Sequence, residues 1–195
     1  GVGNITFLGN DDQLIAFDTG PGNALIDDYV LKVYGVRFDE GGKIAASGQA
    51  NTTLIEAWLT DEYFTKIYPK SLDRDHFTSI ATALTSLNPA DAVATLTLLT
   101  AKTIARACIL LPQQPRQIVL CGGGSKNHTL IQFLRQELPK IEMMCAQNKG
   151  WQGDFIEAEA FAFLAIRSFY DLPLSFPLTT GVKIPLTGGR VFDCD

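Results

Sequence analysis

The sequence predicts an α/β fold, in which a mixed β-sheet is flanked by helices. Two short apolar runs, 5–8 and 14–17, are separated by a Gly-Asn-Asp turn, which is typical of an antiparallel hairpin. Later, an apolar run over 116–120 is followed by a glycine turn, an amphipathic stretch and a second apolar run over 141–145. That order is typical of a βαβ unit with parallel strands. Both kinds of strand pairing are therefore expected.

Hydrophobic periodicity places the helices of this fold. Apolar residues at helical spacing, with capping residues and terminating Gly or Pro, predict helices over 24–34, 53–59, 88–111, 128–138 and 158–170. The helix over 88–111 is apolar on most of its circumference, so we expect it to be buried. The segment 37–48 is expected to be a loop. The segment from 171 onward is expected to wrap the domain, with a possible last strand at 188–192.

The stretch 158–170 also carries small residues at helical spacing. They permit close packing on a sheet, and they are Ala158, Ala162 and Ala165.

Composition bounds the class of protein. The 195 residues are 46% hydrophobic and 19% charged, which indicates a globular chain. A formal charge of −5 argues against sequence-independent nucleic-acid binding. The sequence has no run of 18 consecutive apolar residues, so no membrane span is expected. The cysteines lack C-x-x-C spacing, which favours reduced, buried thiols in a cytoplasmic protein. They are Cys108, Cys121, Cys145 and Cys194.

Three consecutive glycines, Gly122, Gly123 and Gly124, sit at a predicted strand-to-helix turn, with Ser125 or Asn127 available as the helix N-cap. Glycines there let a flat ligand or a phosphate approach the backbone, and a helix N-terminus favours negative charge. The spacing is neither that of G-x-G-x-x-G nor that of a P-loop. A tight turn without a ligand is the alternative.

A second glycine loop follows the first hairpin and reads Asp18-Thr19-Gly20-Pro21-Gly22-Asn23. Pro21 fixes the backbone between two glycines, so the loop is expected to be rigid and open to close approach. Asp18 then lies at a strand end facing a helix N-terminus, which suits a phosphate or a metal-bound phosphate. The alternative is an aspartate that caps its own turn.

Three charged segments are weaker candidates. Lys70 and Arg74 could meet a ligand's negative groups, although such residues more often pair with surface carboxylates. No Ser, Cys or metal-ligand residue lies near His76 at a spacing typical of a catalytic or metal site, so we expect a surface or packing role. Asp154 and Glu157 fit a capping box that opens the last helix, and Glu159 is expected to be a solvated helix carboxylate.

With these motifs in view, the sequence resembles the C-terminal part of anhydro-N-acetylmuramic acid kinases, in the sugar kinase, Hsp70 and actin superfamily. The similar stretches are G-V-G-N-I-T-F-L at 1–8, F-D-T-G-P-G-N at 17–23, P-K-S-L-D-R-D-x-F at 69–77, G-G-G-S-K-N at 122–127 and G-D-x-x-E-A-x-A-F-A at 153–162. The segments that begin at Thr180 and Pro185 fit the family's tail. Leu72 and Asp73 depart from the commoner form of the third motif.

The resemblance implies an RNase H-like lobe, residues 1–195, of a two-lobed cytoplasmic kinase that uses ATP and Mg²⁺. The family phosphorylates O6 of 1,6-anhydro-N-acetylmuramic acid and opens its anhydro ring with water, in cell-wall recycling. By this likeness the adenosine would contact Gly122, Gly123, Gly124 and Asn127. The phosphates would lie near Asp18, Thr19, Gly20, Gly22 and Asn23, with Mg²⁺ on Asp18.

On the sugar side, the resemblance implies that Glu157 contacts the substrate. It places the family's G-T-S-x-D-G-x-D phosphate segment and its catalytic base in an N-terminal lobe, so we expect 1–195 alone to be inactive. The implied partners are ATP, the amino sugar, the chain's own N-terminal lobe and a possible second copy, with neither nucleic acid nor membrane. Two other classes stay open: a non-catalytic nucleotide-binding or interaction module of the same superfamily, and a glycine-turn domain without a nucleotide.

Overall fold

A computed structural model describes residues 1–10, 13–153 and 155–192. The strands are β1 (Gly3–Leu8), β2 (Leu14–Gly20), β3 (Gln117–Leu120) and β4 (Glu142–Cys145). The helices are α1 (Ala24–Tyr34), α2 (Lys43–Ser47), α3 (Thr52–Trp58), α4 (Ile80–Ala83), α5 (Pro89–Ile109), α6 (His128–Glu137), α7 (Ile156–Phe169) and α8 (Pro177–Thr180). The α/β class is confirmed, and most predicted helix and strand bounds hold to within two residues.

Both predicted strand pairings are present, but they do not form one mixed sheet within the described residues. Strands β1 and β2 pair antiparallel, and β3 and β4 pair parallel, as two separate two-stranded sheets. Ile5 of β1 and Ile118 of β3 nevertheless pack against the same buried cluster around Cys108. Local sequence patterns specify pairing within each unit, but they carry no signal for whether the two units join edge to edge. The prediction of a single mixed sheet was therefore wrong.

Helix α5 is the centre of the core, as its sequence predicts. The Asn88 side chain accepts a hydrogen bond from the Ala90 N–H at 3.1 Å, and Pro89 occupies the first helical position. Leu99 and Val93 are fully buried. The helix is long and apolar enough to cross a membrane, but 72% of its most apolar window is buried inside the fold, as in a core helix. It packs against the first hairpin, α1 and α6.

The segment 37–48 is not the loop that its glycines predicted, because it contains helix α2. The Asp39 carboxylate accepts hydrogen bonds from the N–H groups of Ile44 and Ala45 at 2.8 and 3.0 Å, so it caps that helix. Gly41 and Gly42, with φ of 67° and 76°, turn the chain between the cap and the helix. The capping residue lies before the glycine pair, so the pattern of the sequence did not indicate that a helix begins after the glycines.

Helix α7 lies at the surface of the fold. It has no buried residue among those described, and the alanine stripe, which permits close packing on a sheet, is exposed. Small residues permit close packing but do not cause it. The helix instead exposes large apolar side chains, including Phe161, Phe163, Ile166 and Phe169.

The tail beyond α7 returns toward the first hairpin. Ser175 and Leu186 form an isolated antiparallel bridge, and α8 packs near β2. The described part of 188–192 forms no strand, which corrects the predicted last strand. Gly189 has φ 87°, which is not strand backbone, and the Ser168 hydroxyl donates to the Gly188 carbonyl at 2.6 Å.

The described cysteines are free thiols, as expected, but not all are buried. Cys108 is buried and Cys145 is half-buried, whereas Cys121 is exposed, which the apolar run around it did not indicate. Its position at the end of β3, next to the glycine turn, explains the exposure. Cys194 lies outside the described residues.

Candidate functional site

The two glycine loops predicted to bind a ligand lie next to each other. Asn23 occupies the N-cap position of α1, but its side chain makes no capping hydrogen bond. It lies instead beside the triple-glycine turn: a Cβ added to Gly124 would be 3.7 Å from Asn23 Nδ2, and one added to Gly123 would be 3.9 Å from it. The fold thus brings together residues that are a hundred positions apart in the sequence.

The triple-glycine turn is open. Gly122 has φ 70° and ψ −169°, a conformation that side-chain-bearing residues rarely adopt, and a Cβ there would meet no atom within 4 Å. Gly123 is exposed as well, and Gly124 is half-buried. The Ser125 hydroxyl donates to the Gly122 carbonyl at 2.7 Å and holds the turn. The backbone is therefore accessible to a flat ligand.

Asn127 has a structural role in this turn. It is the N-cap of α6, its Oδ1 accepts from the Leu130 N–H at 2.9 Å, and the residue is buried. One of the two predicted capping residues is thus confirmed, and Ser125 acts in the turn before it. The buried Asn127 side chain shapes the triple-glycine turn through the helix start that it stabilises.

In the glycine loop at 18–23, Thr19, Gly20 and Gly22 are buried. The Gly22 carbonyl accepts a hydrogen bond from the Thr100 hydroxyl of α5 at 2.6 Å. Gly22 has φ 58°, and a Cβ there would overlap the backbone of residues 1–3. Close packing on all sides, more than ligand approach, requires glycine here.

Two neighbours of Gly22 are equally enclosed. A Cβ on Gly20 would lie 2.7 Å from the Thr103 hydroxyl oxygen. The Thr19 hydroxyl is buried without a hydrogen-bond partner among the described residues. These residues therefore set the shape of the loop, while Asp18 and Asn23 at its ends are more accessible.

Asp18 makes three hydrogen bonds with one distant segment, residues 63–72. Its Oδ2 accepts from the Leu72 N–H at 2.7 Å, its own N–H donates to the Lys70 carbonyl at 3.1 Å, and its carbonyl accepts from the Tyr63 hydroxyl at 2.7 Å. The alternative that Asp18 caps its own turn is thereby excluded for this carboxylate. Among the described residues, Oδ1 accepts no hydrogen bond, so it is available to a ligand.

A cavity of about 200 Å³ opens beside Asp18. Its lining combines polar and apolar residues of the hairpin, of the segment around Lys70 and of α8. The lining residues are Asn4, Ile5, Thr6, Ala16, Phe17, Asp18, Lys70, Ser71 and Thr179. Thr179 comes from α8, and sequence reasoning missed it because nothing in the tail indicates that it returns to β2.

The two predicted cations have different environments. Lys70 is only 7% exposed, and its ammonium donates to the Tyr63 carbonyl at 2.8 Å. Burial, with help from Lys66, lowers the pKa of Lys70. Arg74 instead pairs with Asp28 on the surface at 2.6 Å, which confirms the surface-pairing interpretation for that residue.

His76 has the surface and packing role that was expected. It is partly exposed, lies 3.5 Å from the Asp61 carboxylate and packs edge-on against Phe77. It does not line the cavity beside Asp18.

Glu157 lies in the first turn of α7 and is exposed. The helix starts at Ile156 with Phe155 at the N-cap position, so Glu157 is the second helical residue and not the third. The predicted capping box fails in this respect, and Asp154 lies outside the described residues. Glu157 and Glu159 do not line the cavity beside Asp18.

The residues at this site suit a magnesium ion that is bound mainly by phosphates. The described residues contain no group of three or more His, Cys, Asp or Glu side chains that could hold a metal by themselves. Mg²⁺ in phosphate-transfer sites is typically held by one or two carboxylates together with substrate phosphates. The free Oδ1 of Asp18 fits that requirement.

An α/β chain with two adjoining glycine turns and one accessible carboxylate is typical of a nucleotide-dependent phosphate-transfer protein. Residues 1–193 match the profile of the anhydro-N-acetylmuramic acid kinase family. The chain therefore belongs to that kinase family.

Curated relatives agree with the family match. The anhydro-N-acetylmuramic acid kinase of Rhodopseudomonas palustris is 47% identical over 191 residues, which are 98% of this chain and 52% of that protein. The enzyme of Bradyrhizobium diazoefficiens is also 47% identical over 191 residues, with the same coverage. That of Zymomonas mobilis is 42% identical over 192 residues, 98% of this chain and 52% of that protein. The chain spans about half the length of these relatives.

Proposed function

We propose that this chain is the C-terminal, RNase H-like lobe of a two-lobed kinase that phosphorylates 1,6-anhydro-N-acetylmuramic acid with ATP and Mg²⁺. The observation that carries the proposal is the meeting of the two family loops at Asn23 and Gly124, next to an Asp18 carboxylate with a free oxygen. The two-lobed enzyme is this chain joined to the other half of the family's length.

The triple-glycine turn is the proposed nucleotide side. Gly122 and Gly123 expose their backbone, and no side chain stands between them and solvent. An adenosine can stack on such a surface, and the phosphates can then extend toward Asn23 and the N-terminus of α1. A helix N-terminus favours the negative charge of those phosphates.

Asp18 is the proposed magnesium and phosphate residue. Its Oδ1 would hold the ion, and the chemistry that the ion would supply is charge neutralisation at the ATP phosphates. Oδ2 stays bonded to the Leu72 N–H, so the carboxylate has a fixed orientation before any ligand arrives. Preorganisation of this kind reduces the cost of ordering a charged group at the moment of reaction.

The reaction would form two bonds on the sugar and break one. Water adds to C1 while the C1–O6 bond of the anhydro ring breaks, and O6 takes the γ-phosphoryl group as ADP leaves. A base must accept the proton of that water. Among the residues that line the cavity, Asp18 is the one carboxylate, so its Oδ1 is a second candidate for the base beside one from the other lobe.

The exposed face of α7 supports the two-lobed arrangement. Phe161, Phe163 and Phe169 are each more than half exposed, and an apolar surface of that kind is typical of an interface. The relatives are about twice as long as this chain. We therefore propose that the other half of the family's length covers α7 and brings Glu157 toward the sugar.

The proposed function is tested by ADP release coupled to NADH oxidation. The two-lobed enzyme should release ADP only when 1,6-anhydro-N-acetylmuramic acid is present, and this chain alone should stay at background because its phosphate clamp is incomplete. The matched control is the same enzyme with N-acetylmuramic acid, which has no anhydro ring. ATP binding without release of ADP in the presence of the anhydro sugar would instead favour a non-catalytic nucleotide-binding module.

A further inference from the structure

Lys70 is unusual because its charge is buried without an opposite charge beside it. The residue is 7% exposed, and the described residues form no ion pair with it within 4 Å. Removing an ammonium from water is costly, and a methionine of similar length would fill the same space without that cost. A role in packing alone therefore does not explain a lysine here.

The ammonium of Lys70 is held by Tyr63 and by the residue that precedes Asp18. It donates to the Tyr63 carbonyl at 2.8 Å and lies 4.5 Å from the centre of the Tyr63 ring. It is also 5.7 Å from the centre of the Phe17 ring. Attraction between a cation and a ring face strengthens when both are removed from water. Lys70 thus fixes Tyr63 against strand β2.

Tyr63 then acts directly on Asp18. Its hydroxyl donates to the Asp18 carbonyl at 2.7 Å. The Asp18 carbonyl oxygen can only accept, so the Tyr63 hydroxyl is the donor in this contact. The backbone of 70–72 completes the enclosure, since Lys70 accepts from the Asp18 N–H and Leu72 donates to its Oδ2.

We propose that Lys70 is a positioning residue for Asp18: through Tyr63 and the backbone of 70–72 it fixes the Asp18 carboxylate with Oδ1 facing the cavity. This inference deepens the proposed function and rests on it for its catalytic consequence. The positioning itself is a property of this chain and can be measured without turnover.

Amide hydrogen exchange on residues 1–195 tests the positioning. In Lys70→Met the amides of Asp18 and Leu72 should exchange at least about tenfold faster than in wild type, because both hydrogen bonds depend on the 70–72 backbone. The amide of Leu99 in the core should be unchanged. Tyr63→Phe keeps the ring under Lys70 but loses the hydroxyl, and it should accelerate the Asp18 amide too. Lys66→Met is the matched control, because Lys66 is an exposed lysine of the same segment.

Kinetics of the two-lobed enzyme test the consequence. Lys70→Met should lower kcat about tenfold or more, with the KM for the sugar within about twofold, because a misplaced Asp18 affects the transferring phosphoryl group. Combining Lys70→Met with Asp18→Asn should reduce kcat no further than Asp18→Asn alone, since both act through one carboxylate. Lys66→Met should behave as wild type.

The outcomes separate the two proposals. Unchanged exchange at Asp18 and Leu72 in both Lys70→Met and Tyr63→Phe overturns the positioning role, whatever the activity. Multiplicative kinetic effects in the double variant also overturn it. If Lys70→Met does not fold, Tyr63→Phe decides by the same exchange criterion. A wild-type two-lobed enzyme that does not phosphorylate the anhydro sugar, with the expected exchange pattern, refutes the proposed function and leaves the positioning role supported.

Discussion

Replacing Asp18 by Asn separates its charge from its place in the fold. The Asn Oδ1 can accept the hydrogen bond from the Leu72 N–H, which Asp18 accepts at 2.7 Å, so the contact is kept. A hydrogen bond to a charged acceptor is worth about 1.5–3 kcal/mol and a neutral one about 0.5–1.5 kcal/mol. The expected loss in the free energy of unfolding is therefore about 1 kcal/mol, and Tm should fall by about 2–4 °C.

The effect on catalysis should be much larger. The amide cannot supply the negative oxygen that the magnesium ion or the water proton requires, so kcat of the two-lobed enzyme should fall by about 100-fold or more, equivalent to about 2.7 kcal/mol. Differential scanning fluorimetry and coupled ADP release measure the two quantities on the same preparation. A Mg²⁺ titration then assigns the role: a raised half-saturating concentration indicates a metal ligand, and an unchanged one indicates a base. Normal kcat with a lowered Tm would refute the functional reading of Asp18.

Four further outcomes are expected. Gly22→Ala should destabilise by about 3 kcal/mol or more, because its Cβ overlaps residues 1–3, whereas Gly35→Ala, with φ 68° and open space around it, should cost about 1 kcal/mol in urea unfolding. A thiol reagent at pH 8 should label Cys121 rapidly and Cys108 only on unfolding, and equal rates would contradict the burial of Cys108. Burial raises the pKa of the Cys108 thiol to about 11, so the unfolded chain loses this proton at lower pH than the folded chain. The stability of wild type relative to Cys108→Ala should therefore fall as pH rises from 9 to 11. Parallel pH profiles of the two proteins would exclude this effect. Glu157→Gln should leave Tm unchanged and lower kcat/KM of the two-lobed enzyme by about tenfold, and full activity would remove Glu157 from the site.

Local sequence patterns predicted most of the helices and strands. Helix α5 was predictable because apolar spacing follows a capping residue, Asn88, and helix α1 because its apolar spacing ends at Gly35. Helix α2 was missed because its cap, Asp39, lies before a glycine pair. The packing of α7 could not be predicted from its alanine stripe, since a helix with that pattern needs a partner surface that the stripe does not identify.

The candidate site was predictable only in part, for a related reason. Asp18 and the glycines are visible as a strand-end motif, but Tyr63, Leu72 and Thr179 reach the site through contacts between distant segments. Asn127 was predicted both as a helix cap and as a ligand contact, and the structure confirms the cap while the ligand contact stays a prediction. Sequence spacing indicates which residues could bind, and tertiary contacts decide which of them are free to do so.

The most direct test of the proposed function is mass spectrometry of the sugar product. The two-lobed enzyme, supplied with ATP, Mg²⁺ and 1,6-anhydro-N-acetylmuramic acid in ¹⁸O-labelled water, should give a product heavier by one phosphoryl group and one water, with the label at C1. Asp18→Asn should give almost none of it. A phosphorylated product that keeps the anhydro ring, or no sugar-dependent product while ATP still binds, would contradict the account.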